Sequence, residues 1–127
     1  MEEKTAPWRG KVIPFREKHF SPVLCGEKKI TIRKFDQSKH RLAFGEVFAG
    51  SFGDGTVILL RATATTRVER FDHLEDAVAQ EDGHQNTEEF IRHFTREFNP
   101  YLKRGDAAAI IRFELIILPG SDDPIFV

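Results

Sequence analysis

Gly26-Glu27-Lys28-Lys29-Ile30-Thr31-Ile32-Arg33, residues 26–33, joins a glycine turn to a short run of alternating polar and apolar residues. From Lys29 to Arg33 the period is two, the spacing of a β-strand. Ile30 and Ile32 fall on one face, and Lys29, Thr31 and Arg33 on the other. A threonine hydroxyl is a poor nucleophile until a base takes its proton, and a lysine amine serves as that base where burial or crowding by other cations makes it neutral. Two lysines compete for the role. Regular alternation puts Lys29 on the Thr31 face, whereas Lys28 reaches Thr31 if the chain turns or bulges just before the strand, which Gly26 permits.

Upstream, residues 1–11 read as a flexible N-terminal arm, and Val12-Ile13-Pro14-Phe15 opens a strand that Pro14 confines to an edge. Phe15, Phe20, Val23 and Leu24 follow at helical spacing, with Gly26 as the stop. Downstream, a turn-rich connection leads to a strand from Glu46 to Phe52. The reversal FGDGT then precedes a second long strand, Val57 to Thr65. Phe71 to Glu81 has helical periodicity, with Asp72 and Glu75 spaced as a capping box. Thr87 to Phe98 forms a second helix, capped by Thr87 and halted by Asn99-Pro100. Ala107 to Leu118 is the last strand, and the acidic stretch 119–127 a peripheral tail. Strands with helices gathered in two places predict an α+β domain, residues 12–118, around a small, mostly antiparallel barrel.

The 127 residues suit one domain with a core of its own. Twelve phenylalanines against one tyrosine and one tryptophan favour packing over disorder. The single cysteine, Cys25, fits a reducing cytoplasm and reads as a small buried filler. No apolar run is long enough for a signal peptide or a membrane span, and five dispersed histidines read as polar surface residues without a metal-ligand spacing. Phosphate-loop, zinc-protease and dinucleotide fingerprints are missing.

The net charge is −1, so no global field draws in nucleic acid. Charge is nevertheless polarised. Residues 26–41 hold six Lys or Arg against two carboxylates, and residues 75–97 hold seven carboxylates against two arginines. Such clusters are solvated faces in most proteins. Alternatively, the basic stretch offers donors to a phosphate or base while the acidic helical region supplies a carboxylate for proton transfer.

The stretch 26–33 resembles the GxKxxTxR signature of the ASCH domain family, whose fold is related to the PUA RNA-binding domain. The resemblance runs on through Gly45-Glu46, the Thr56 to Thr66 strand, LEDAVAQEDG, the Glu88-Glu89-Phe90 helix and the closing strand, and covers Ile13 to Leu115. It implies a PUA-like β-barrel with peripheral helices. Within the family the chain is most similar to small bacterial N4-acetylcytidine amidohydrolases, which use a lysine, a threonine and a glutamate. Matching motifs place these on Lys28, Thr31 and Glu81, so the resemblance selects Lys28 over Lys29. It implies that Lys28 is the general base, Thr31 the nucleophile and Glu81 the group handling protons at the leaving amine. Lys29 or Arg33 would face the oxyanion, and no metal or organic cofactor is required.

Family members also include RNA binders and ribonuclease-like proteins. The alternative reading is therefore a module for single-stranded RNA, with Lys34, Lys39 and Arg41 on phosphate and Phe35 and Phe44 stacking on bases. A third reading, a protein-interaction domain, requires a shallow surface around Thr31. The amidohydrolase reading requires Lys28, Thr31, Glu81 and Arg33 to converge on one pocket. Glu81 must then stand across a substrate-sized gap rather than in a tight bridge to Lys28.

Overall fold

Alternation of apolar residues lays down six strands in the computed structural model, which describes residues 8–127. In chain order they are β1 (Trp8–Pro14), β2 (Ile30–Lys34), β3 (Val47–Ser51), β4 (Val57–Ala62), β5 (Arg67–Arg70) and β6 (Ala107–Leu115). Four helices accompany them: α1 (Phe20–Leu24), α2 (Gln37–His40), α3 (Asp76–Glu81) and α4 (Thr87–Glu97), with 3-10 turns at Glu17–His19 and Phe71–His73. The strands form one curled, mixed sheet in the order β1-β3-β4-β6-β2, a half-barrel of α+β type with few short helices. Only β1 and β3 run parallel; every other pair is antiparallel.

β6 organises the sheet. One edge carries β2, from Ile30 opposite Arg112 to Lys34 opposite Ala108. The other carries β4 near Phe113 and then β5 from Ile110 to Ala107. Because side chains alternate along a strand, β6 feeds two cores. Ala109, Ile111 and Phe113 join Ile13, Phe15, Phe48 and Leu60 inside the barrel. Ala108 and Ile110 join Ile30, Ile32, Phe71, Val78, Phe90 and Phe94 beneath α3 and α4. β2 is thus covered on both faces, and Thr31 is buried along with its isoleucine neighbours.

Several local expectations change. β1 already includes residues 8–11, which the sequence assigns to the arm; residues 1–7 lie outside the described residues. Asp72 does not cap a helix: its carboxylate accepts from Arg70, and α3 starts four residues later. The cap of α4 is Asn86, accepting from Glu89 N at 2.8 Å, while the Thr87 hydroxyl donates to Leu74 O at 2.7 Å. The second long strand breaks after Ala62 and resumes as β5. Leu59 N donates to Ile125 O and Val127 N to Val57 O, so the tail covers the outer face of β3 and β4 beside Val47 and Ala49. Cys25 is exposed, and His40 is buried with its Nδ1 accepting from Asp36 N at 3.0 Å.

Phe71 sits fully buried between sheet and helices, its ring centroid 6.0 Å from that of Phe90 and 5.2 Å from that of Phe94. Phe71→Ala is expected to lower unfolding stability by about 3–5 kcal/mol in urea titrations. A loss under about 1 kcal/mol would show that α4 does not rest on this ring.

Candidate active site

Two turns built around glycine bring the charged groups together. Gly26 has φ +83°, a left-handed conformation suited to glycine, and ends the α1 segment. Lys28 N then donates to Pro22 O at 3.0 Å, which folds residue 28 back over α1 before β2 begins. Across the cavity, α3 closes with Gly83 N on Gln80 O and His84 N on Ala79 O, both 3.0 Å, and Gly83 at φ +94°. This is the paired-bond helix ending that favours glycine just past the cap residue. That cap residue is Asp82. Its Oδ1 accepts from Lys28 Nζ at 2.9 Å, and only 14% of the lysine side chain and 11% of the aspartate side chain are exposed.

Thr31, 4% exposed, faces the same space. Its Oγ1 accepts from Arg33 Nε at 2.8 Å, as the period-two spacing of β2 allows, and the guanidinium lies 5.0 Å from the centroid of Phe15. Around these groups opens a cavity of about 660 Å³, a volume that suits a small-molecule ligand. Phe90, His93, Phe94 and Phe98 line one wall, and Arg16, Lys18 and His19 another; Asp36, Lys39 and His40 lie toward α2. At the lip Arg16 pairs with Glu97 at 3.6 Å and covers the Phe98 ring at 4.4 Å.

Burial pulls the Arg33 guanidinium down to about 10, with Asp82 acting in the opposite direction. Burial first, then the charges of Lys28, Lys18, Arg33 and Arg16, push His19 down to about 4. His40 is lowered by burial and by Arg33. Among the described residues no group of three or more His, Cys, Asp or Glu gathers as a metal site, and no helix is long and apolar enough to cross a membrane.

Of the residues that sequence and resemblance single out, Lys28, Thr31, Arg33, Lys34 and Lys39 line the cavity, and Arg41 does not. Glu81 does not: its exposed carboxylate pairs with Arg112 outside. The reason is helical phase. Val78 and Ala79 face the core, and Asp82 lies three and four positions on, on the same side; Glu81 follows exposed Ala77. The carboxylate beside Lys28 in the cavity is therefore Asp82, and it is bonded to that lysine rather than separated from it by a gap. Lys29 is exposed and outside the cavity, because the bend at residues 26–28 turns Lys28 inward instead. Phe35 packs half-buried against the barrel core under Arg41, and Phe44 is 73% exposed away from the cavity. The aromatic wall comes from α4. His19, His84 and His93 also line the cavity, brought there by tertiary packing.

No family model matches this chain, and no curated protein does. Solved structures share its fold. Protein EF3133 from Enterococcus faecalis V583, described by the DUF984 family model, is 18% identical, with 84% of this chain and 80% of that one aligned at a TM-score of 0.63. Hypothetical protein PH0355, also 18% identical, aligns over 86% of this chain and 98% of its own at 0.63. An ASCH domain from Lactobacillus crispatus JV V101 is 12% identical, over 84% and 70%, at 0.54. At such identities the likeness is one of architecture, and the architecture is the ASCH/PUA-like fold.

His19 gives the site a pH signature. An unfolded chain protonates it near 6.5 and the folded protein only near about 4. Its contribution to stability is therefore full above that window and is lost as pH falls through it. Urea midpoints taken from pH 7 to 4.5 should fall less steeply for His19→Gln than for the parent. Parallel slopes would mean that His19 protonates freely in the folded state.

Proposed function

We propose that this protein is an amidohydrolase that removes an acyl group from the exocyclic amine of a modified cytidine, working through Lys28, Thr31 and Asp82. The observation that supports this reading is that Lys28, Thr31 and Arg33 line one cavity together with a carboxylate, which is Asp82 in place of Glu81 and is paired with Lys28 where the resemblance calls for a gap. In the resting pair Lys28 donates, and an ammonium has no lone pair with which to accept a proton. Asp82 is close enough to hold that proton. Lys28 passes that proton to Asp82 in the same step in which it takes one from Thr31, so the pair relays a proton and the amine never stands free.

The amine takes the Thr31 hydroxyl proton as Oγ1 attacks the acyl carbonyl, with Arg33 facing the oxyanion. Collapse breaks the carbon–nitrogen bond, and Asp82 gives its proton to the departing amine. Water then attacks the threonine ester, losing a proton to Asp82. Lys28 returns a proton to Thr31 Oγ1 as the carboxylic acid leaves, and proton return from Asp82 to Lys28 restores the pair. Glu81, which the resemblance marks for the acid role, takes no part.

The cationic lining motivates a second reading, an RNA-binding module without hydrolysis. In that case Phe98 and its α4 neighbours, rather than Phe35 and Phe44, would be the stacking surface.

Incubation with N4-acetylcytidine, followed by chromatography for cytidine, separates the two. Hydrolysis by the parent is expected to fall at least about 100-fold in Thr31→Ala, Lys28→Ala and Asp82→Asn. Glu81→Gln is expected to stay within about twofold of the parent, since that carboxylate lies outside the cavity. Absence of cytidine release by the parent, or equal loss in Glu81→Gln and Asp82→Asn, contradicts the assignment.

A further inference from the structure

The cavity is more cationic than a neutral nucleoside needs. Its lining includes six Lys or Arg side chains and two carboxylates, and both carboxylates are engaged. Asp82 accepts from Lys28; Asp36 accepts from Ser38 N at 2.9 Å and Ser38 Oγ at 2.6 Å. Arg33 stands out. Half-buried in the cavity lining, its guanidinium has no carboxylate at ion-pair distance among the described residues, and the Asp82 charge acts on it only from farther off. Its hydrogen bond goes to a neutral hydroxyl, and its face rests on Phe15. Burying a guanidinium without a counter-ion is costly, and a bound anion removes that cost. Burial first, and then the neighbouring positive charges, lower His19 and His40.

We propose that the ligand of this cavity is a pyrimidine nucleotide, its base at the Lys28–Asp82 end and its phosphate toward Lys39, with the Arg33 guanidinium between the two. This rests on the reading of the site as one for a nucleobase amide and adds the chemical class of the substrate. Phe90, Phe94 and Phe98 offer faces for the base. Near the phosphate end Lys34 leans toward Asp106 at 3.9 Å, while the exposed Lys39 acts on the Asp36 carboxylate by its charge.

The test is calorimetric titration of the intact protein with cytidine 5′-monophosphate, cytidine and inorganic phosphate, at low and raised salt. The nucleotide is expected to bind at least about tenfold more tightly than the nucleoside, with the advantage shrinking as salt screens it. Lys39→Gln is expected to move the nucleotide-to-nucleoside affinity ratio toward one. Equal affinity for cytidine and its monophosphate, no nucleotide binding, phosphate binding as tightly as the nucleotide, or a short single-stranded RNA binding more tightly than the mononucleotide would each overturn the proposal. Hydrolysis is read separately. Nucleotide binding without amide cleavage defeats the amidohydrolase reading and leaves the nucleotide site, and cleavage without phosphate preference does the reverse.

Discussion

The bond between Lys28 and Asp82 closes the site, because it ties the head of β2 to the end of α3 across 54 residues of chain. Neither side chain is in place by propensity alone. Lys28 is turned inward by the glycine bend before β2, and Asp82 by the helix ending at Gly83. α3 itself is held by Phe71, Leu74 and Val78 against Ile30 and Ile32. Two partly desolvated charges need each other: removing either leaves a half-buried charge without its partner. That mutual dependence fixes the distance between strand and helix, and with it the width of the cavity.

Much of this architecture is written in local pattern. The alternation Ile30-Thr31-Ile32-Arg33 marks β2 and its two faces, and the spacing Phe90-Ile91-Phe94 marks the buried side of α4. β5 carries no such pattern. Arg67, Val68 and Arg70 are exposed and Glu69 only half-buried, so the segment is a strand because β6 offers it a free edge. The four-residue α2 likewise depends on Asp36 capping it through Ser38 N.

The site was half legible for related reasons. A motif read along β2 finds Thr31 and Arg33, and resemblance favours Lys28 over its neighbour. The carboxylate required a different signal. Counting helical phase from Val78 points to Asp82, whereas matching by motif points one residue earlier, to Glu81. The aromatic and histidine walls come from α4 and the turn before α1, and no short-range pattern announces that these face each other. The acidic stretch 75–97 spends its charge unevenly: Glu81 on Arg112, Glu88 on Arg104, Asp82 on Lys28. The cavity keeps a positive surplus inside a chain of near-zero net charge.

In the proposed reaction the amine sits at the Lys28–Asp82 pair, beside Thr31. A crystal structure of the complex with cytidine, the product of the proposed reaction, tests it most directly. The expected complex has the exocyclic amine within hydrogen-bond distance of Asp82 or Thr31, the pyrimidine against the phenylalanines of α4, and Glu81 still on Arg112. A base bound outside the cavity, or an amine directed to solvent with Glu81 swung in to meet it, would contradict the account.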